Sequence, residues 1–359
     1  MTYERHILAL HRAVGLENDG AFFEAEQLYK QLVRQPMGGE IAQYQYAQFL
    51  LRMGEYEKAW PHFMRRLEMP AYRERAATSL KAPYWDGQSD EIDQIQTILV
   101  YADQGIGDAL MCARFLSELN ARFQRVVFLV FKGYRSLFAS LTHEVTILEY
   151  GEVLPEFDAH ADLFSIPALL NKTLKNITDP VCLKINSRDR EPWIRRLSNN
   201  RLNVGLAWQG NPLHSRDQER SAQLMDFNPI MQRKCNFYSL QVGEAETQIS
   251  EIPSPINITV FNEISESINA IEDKMLKTAA LISCLDLVIT VDTSIAHLAG
   301  ALGVPAWILI SKIPDWRWMM DTDVSPWYPA SRLYRAQERY NWYHPIDSMC
   351  LDLDQKIRN

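Results

Sequence analysis

The chain has 359 residues, 47% hydrophobic and 23% charged, with 37 basic against 45 acidic side chains and a net charge of −8. The length suits two or three domains, and the composition is that of an ordinary soluble protein. No basic run of the kind that tracks a phosphate backbone is present, so nucleic acid is not an expected partner. The opening MTYERHILAL lacks a basic segment followed by a long apolar core and a small-residue cleavage site, so a cytoplasmic location is expected. The longest apolar stretch, 295 to 310, is interrupted by His297, Gly300, Gly303 and Pro305 and is too short for a membrane span. Cys112, Cys182, Cys235, Cys284 and Cys350 are odd in number and form no C-x-x-C pair. Reduced, buried thiols are expected rather than a disulfide framework or a zinc site.

Residues 20 to 36 match residues 54 to 70: Gly20 with Gly54, Phe22 with Tyr56, Ala25 with Ala59, Tyr29 with Phe63, Pro36 with Pro70. The spacing and residue types are those of a tetratricopeptide repeat. Glycine permits a tight turn between helices, alanine a close crossing, the aromatics fill the gap and proline ends the second helix. Helices are predicted over 4–17, 21–35, 40–53 and 55–69. Two repeats are few for a self-supporting stack, so this segment is expected to lean on the α/β part of the chain or on a second copy of the protein. It either presents a groove to a partner or only props the next domain.

After a linker at 82–88, APYWDGQ, β-rich runs alternate with helical ones, as in parallel α/β sheets. The first series is predicted at 97–102, 125–131, 145–150 and 161–166. The second is predicted at 202–208, 236–242, 256–261, 285–292 and 305–310, with helices at 108–122 and 274–284 among the connections. The expected architecture is α/β: an all-α repeat segment over 1–80, then twin Rossmann-like domains over 81–200 and 201–359 facing each other across a cleft. Ligands bind beyond the carboxyl ends of such strands, so the loops 103–108, 209–220 and 292–297 should converge.

Three stretches carry candidate chemistry. QGIGDAL follows a strand and opens a helix, but Leu110 stands where the dinucleotide fingerprint needs its third glycine. Gly105 and Gly107 then read as a close-approach turn that clears space, and Asp108 as either a helix N-terminal carboxylate or an acting group. The loop WQGNPLHSRDQERS brings Gln209, Asn211, His214, Arg216 and Arg220, a donor set able to hold an anion, or simply a solvated charged loop. In VITVDTSIAHLAGALGVP a buried strand ends at Asp292, and Thr293 and Ser294 can cap a helix whose free N–H groups face the cleft. His297, one turn in, either donates to a diphosphate oxygen or serves packing alone. Asp321-Thr322-Asp323 resembles the acidic metal-binding triplet of one glycosyltransferase class, but follows nearly all the strands, and no metal is expected there.

Together, the Trp85-Asp86-Gly87 linker, ILVYADQGIGD, VGLAWQGNPLH with Arg220-Ser221, DLVITVDTSIAHLAGALGVPAW, PDWRW and SPWYP resemble a bacterial family in which tetratricopeptide repeats precede a glycosyltransferase domain of the two-Rossmann (GT-B) type. The catalytic half is similar to the heptosyltransferases, and the overall plan is similar to that of the peptide O-GlcNAc transferases. The resemblance implies inverting, metal-independent transfer from a nucleotide-diphosphate sugar without a cofactor. It implies Asp108 as base, and Asp292, Thr293 and His297 around the donor diphosphate. Ser294 stands where the heptosyltransferases usually carry glycine. The expected partners are a nucleotide sugar and a protein or peptide acceptor reached through the repeats, with self-association through the exposed stack. The alternative is a repeat-based scaffold whose transferase half is catalytically inactive.

Overall fold

The computed structural model describes all residues except 1, 2, 36–38, 71, 73–79, 88–94, 142, 144, 181, 182, 198, 199, 253–257, 270, 271 and 359. Pro36 of the repeat pattern and Cys182 among the thiols lie outside the described residues.

Two helical hairpins come first: α1 (Tyr3–Asn18) with α2 (Phe22–Leu32), then α3 (Gly39–Arg52) with α4 (Tyr56–Met64), which tightens into a 3-10 turn over Arg65–Glu68. Their turns are copies. Gly20 and Gly54 have φ of 83° and 82°, a left-handed conformation that favours glycine. The Ala21 N–H donates to the Leu16 carbonyl and the Glu55 N–H to the Leu50 carbonyl, each at 2.8 Å. Ala25, Ala59, Tyr29 and Phe63 are all fully buried, the small residues at the crossings and the rings between the helices.

The expected dependence on the rest of the chain is seen at α4. Tyr56, Trp60 and Phe63 pack against Trp316, with ring centroids 6.4 Å apart in each pair, and Tyr56 also meets Trp327. Buried Arg66 donates to Asp162 at 2.6 Å and to Ser165 at 2.7 Å. One hydrophobic core therefore runs from the hairpins through both α/β halves. The 82–88 linker is pinned: the Trp85 N–H donates to the His160 carbonyl at 2.8 Å, and Tyr84 Oη donates to Asp162 at 2.7 Å.

The first sheet, in order β3-β2-β1-β4, contains β1 (Thr97–Tyr101), β2 (Arg125–Val130), β3 (Thr146–Glu149) and β4 (Ala159–Asp162), all parallel. The second, in order β10-β9-β8-β5-β6-β7, contains β5 (Asn203–Ala207), β6 (Asn236–Ser239), β7 (Ile258–Thr259), β8 (Leu287–Val291), β9 (Ala306–Ile310) and β10 (Ser331–Arg335), again all parallel. Each order reverses once, between β1 and β4 and between β5 and β8, leaving a crevice at each switch point.

Two predicted boundaries are corrected, and two elements were not predicted. The strand predicted over 161–166 is β4, ending at Asp162, because the Ser165 hydroxyl folds back to donate to the Asp162 carboxylate at 2.6 Å and Leu163–Ser165 becomes a 3-10 turn. The helix predicted over 108–122 starts at Ile106 and breaks into three pieces, Ile106–Cys112, Ala113–Phe115 and Leu116–Asn120. Arg114 within it is buried and donates to the Trp327 carbonyl at 2.8 Å. Strand β10 and the closing helix Tyr343–Arg358 have no counterpart among the elements predicted from sequence.

Candidate active site

The two switch points face one cleft of about 1340 Å³. One wall is the turn after β1, where Asp103, Gln104 and Gly105 lead into the Ile106–Cys112 helix. The opposite wall is the loop after β5 together with the turn after β8, and α1 and α3 close a third side.

On the first wall Asp108 caps its own helix, with Oδ2 accepting the Gly105 N–H at 3.0 Å. Its Oδ1 is ion-paired with Arg317, which reaches across from the second half. Arg317 is fixed in turn by Asp315 at 2.6 Å and lies over the rings of Trp316 and Phe164 at 4.7 and 5.1 Å. Asp103 differs from Asp108: Oδ2 accepts from Gln104 at 2.5 Å, while buried Oδ1 has no hydrogen-bond partner among the described residues. Burial, with Asp162 nearby, pushes the Asp103 carboxyl up to about 7.

The Gly107 reading needs correction. A Cβ on Gly107 would lie 2.8 Å from the His297 ring, so the space this glycine clears is filled by the other half of the protein rather than left to sugar or acceptor. A Cβ on Gly105 would make only an ordinary 3.5 Å contact with Asp108.

On the second wall Thr293 caps the Ser294–Ala301 helix, its Oγ1 accepting the Ile295 N–H at 3.2 Å. Ser294 is the first helical residue and lines the cleft. His297 is buried, and its Nδ1 lies 3.0 Å from the Tyr328 hydroxyl. Tyr328 can lie across this helix because Gly300 has no side chain; a Cβ there would overlap the ring. Burial and then Arg317 pull His297 down to about 3, so it stays neutral and offers one N–H. The Asp292 carboxyl is raised by burial and by Asp315, while its carbonyl accepts from Arg220 at 3.0 Å.

The loop after β5 is built rather than loose. The N–H groups of Trp208 and Gln209 donate to Gln241 Oε1 at 3.0 and 2.9 Å, and Gln241 returns a bond to the Gln209 carbonyl. A Cβ on Gly210 would fall 2.7 Å from Arg220 Nη2, so this glycine lets the guanidinium approach the backbone. Asn211 serves the loop itself, accepting the Leu213 N–H at 3.0 Å, and His214 Nδ1 accepts the Arg216 N–H at 3.2 Å. Burial and Arg220 lower the His214 imidazole. Arg216 is paired with Glu219 at 2.8 Å and donates to the Ile313 carbonyl; Arg220 is paired with Asp217 at 3.4 Å and, through its bond to the Asp292 carbonyl, stands beside the helix start.

Sequence reasoning missed Asp103, Gln241, Asp315, Arg317 and Tyr328. The only signal for Arg317 was a charged pair two residues apart inside a tryptophan-rich segment. Asp321-Thr322-Asp323 forms a turn beside β10, where the Leu333 N–H donates to the Asp323 carbonyl and Arg335 to the Thr322 carbonyl. Among the described residues no group of three or more His, Cys, Asp or Glu could hold a metal, and no helix is long and apolar enough to cross a membrane.

Residues 272–309, spanning β8, the Ser294–Ala301 helix and most of β9, match the family described as glycosyltransferase family 9 (heptosyltransferase). A curated relative, Protein FlbA of Caulobacter vibrioides, is 24% identical over 331 residues, which is 85% of this chain and 53% of the relative. The chain thus spans about half the length of that relative. The structure of E. coli ADP-heptose lps heptosyltransferase II is similar over 73% of this chain and 98% of its own, at 14% identity with a TM-score of 0.51. The fold is α/β, with two parallel sheets like those of GT-B-type glycosyltransferases.

Proposed function

We propose that the protein transfers a sugar from a nucleotide-diphosphate donor to an acceptor hydroxyl, with inversion and without a metal. The observation that carries this reading is the pairing of two unlike switch points across one cleft. One supplies the capped start of Ser294–Ala301, His297 and Arg220; the other supplies two carboxylates. The donor diphosphate is assigned to the first set, where the helix start and Arg220 stabilise charge as it develops on the leaving group. Arg317 is neutralised by Asp108 and Asp315, so on this reading the helix start and Arg220 provide the positive charge that a metal would otherwise bring. A carboxylate of the 103–108 turn takes the acceptor proton while the hydroxyl oxygen attacks the anomeric carbon, and the bond to the diphosphate breaks with its electron pair.

A cleft of about 1340 Å³ exceeds the range of roughly 300–1,000 Å³ usual for one small ligand. The remaining volume, bordered by Asn18 of α1 and by Tyr44, Gln45 and Gln48 of α3, is assigned to the acceptor, which we infer to be a protein segment. The test is a thermal-shift panel of ADP-, GDP- and UDP-linked sugars and the free diphosphates, with and without Mg²⁺, because a ligand of the native state raises its stability. A shift that persists in EDTA is expected. If none of these compounds moves the melting point, the scaffold alternative replaces this reading.

A further inference from the structure

We propose that Tyr328 is a positioning residue that fixes the tautomer of His297, so that the one imidazole N–H sits on Nε2 and is turned to the cleft rather than into the fold. This rests on the proposed donor assignment at the start of the Ser294–Ala301 helix and adds to it the group that orients His297. The His297 Nδ1 lies 3.0 Å from the Tyr328 hydroxyl. Trp318 and Tyr328 flank the imidazole, with ring centroids 5.3 and 5.6 Å away. The edge away from Nδ1 faces Gly107 of the first half, where a Cβ would lie 2.8 Å from Cδ2 and 3.5 Å from Nε2. His297 also lines the cleft, so its two nitrogens have different neighbours: a phenol inside, the space between the halves outside.

A hydroxyl at that distance from a neutral imidazole nitrogen can donate or accept, and the surroundings choose. Burial, with Arg317 second, lowers His297 to about 3, so the ring carries a single proton near neutral pH. Burial raises the Tyr328 phenol, so the hydroxyl keeps its proton and needs an acceptor for it. Beside it stands buried Arg114 of the first half, its guanidinium carbon 5.1 Å from the Tyr328 ring centroid. Carbonyls of Met111, Trp327 and Thr178 hold that guanidinium at 2.8, 2.8 and 3.2 Å, and its charge is felt at the Tyr328 hydroxyl. A guanidinium has only donors, so it cannot take the hydroxyl proton.

Among the described residues, Nδ1 is the acceptor that the Tyr328 O–H meets. Were the imidazole proton on Nδ1, the buried hydroxyl would point at nothing, and an unsatisfied buried donor is costly. With the proton on Nε2, Tyr328 donates, Nδ1 accepts, and the remaining N–H is free for a diphosphate oxygen. The bond at one ring nitrogen thus sets what the other can do. Gly300 makes the arrangement possible, because a Cβ there would overlap the Tyr328 ring.

The experiment uses the full chain with nitrogen-15-labelled histidine, as wild type, Tyr328→Phe, His297→Ala and the double variant. His297→Ala removes one of the eight histidine signals and so assigns it. With no ligand added, long-range proton–nitrogen spectra of the wild type between about pH 6 and 8 are expected to show a protonated Nε2 and an unprotonated, hydrogen-bonded Nδ1. In Tyr328→Phe the Nδ1 signal should move toward that of a free unprotonated nitrogen. A proton on Nδ1 in the wild type, or an Nδ1 signal indifferent to the lost hydroxyl, overturns the proposal.

Calorimetry with ADP, GDP and UDP reads the consequence for the donor. Tyr328→Phe is expected to weaken whichever diphosphate binds roughly 3- to 10-fold, and His297→Ala roughly 10- to 100-fold. Adding Tyr328→Phe to His297→Ala should then change the affinity by less than about 2-fold, because the hydroxyl acts through the imidazole. A loss in the double variant as large as that in Tyr328→Phe alone overturns the proposal, since a residue that only supports the fold gives that result. If none of the three diphosphates binds the wild type, the donor assignment is overturned and not the tautomer, which the ligand-free spectra decide by themselves.

Discussion

The turns after β1 and after β8 are built alike, each a parallel strand leading through a short loop into a helix, yet one finishes its helix with a charged group and the other with a neutral one. The Ile106–Cys112 helix is closed by its own carboxylate, Asp108, which accepts the Gly105 N–H. The Ser294–Ala301 helix is closed by a neutral hydroxyl, that of Thr293. A helix start carries roughly half a positive charge. In the first half that charge is already answered by the chain, and in the second it is left for a ligand. On the proposed reading the donor diphosphate completes the second helix start as Asp108 completes the first.

The largest expected effect comes from cutting the link between the two turns. Arg317→Ala leaves Asp108 and Asp315 without their shared cation in a site where the arginine side chain is only 12% exposed. A loss of about 3–5 kcal/mol is expected, measured as a fall in ΔG of urea unfolding. A loss below about 1 kcal/mol would mean that the pair is solvated and does not join the halves. Next is a change that makes the second turn resemble the first. Thr293→Asp keeps a good capping oxygen but places a negative charge at the helix start. With an effective dielectric near 20 and about 6 Å to a phosphate, the repulsion is about 2–3 kcal/mol. Calorimetry should show nucleoside diphosphate affinity falling roughly 30- to 150-fold, with the melting point of the free protein unchanged or raised. Unchanged affinity would move the diphosphate elsewhere. The smallest effect is at the contact between the turns. Gly107→Ala drives a methyl to 2.8 Å from the His297 ring, and about 1–3 kcal/mol of stability should be lost to overpacking. The double variant with His297→Ala should recover most of it, and a melting point lower still would show that the two residues do not oppose each other.

Much of the fold was legible because its signals are local. The 34-residue spacing in Gly20/Gly54 and Ala25/Ala59 marks turns and crossings formed within each hairpin, and runs such as TILVY and LVITV are the apolar strands that two-sided burial demands. Strand β10 was missed because SRLYR, an edge strand, carries exposed Arg332 and half-buried Arg335 and therefore shows no continuous apolar run. At the site, Thr293 and His297 were legible as a cap and a residue one turn later. Arg317 was not, because the partner that gives it meaning, Asp108, lies 209 positions away. Asp103 was overlooked for a related reason: a lone aspartate after a strand looks like any turn residue until Asp162 and the surrounding burial are brought beside it.

The hairpins have a further consequence through α3. Arg52 donates to the Pro314 carbonyl at 2.8 Å and its own carbonyl accepts the Met320 N–H at 3.2 Å, so the helix clasps both ends of the segment that holds Asp315 and Arg317. Tyr56, Trp60 and Phe63 seal the same segment from above. In mechanical terms, a load applied to the hairpins is delivered to the guanidinium that bridges the cleft. A substitution that loosens α3 or α4 from this segment is therefore expected to loosen the guanidinium that bridges the cleft.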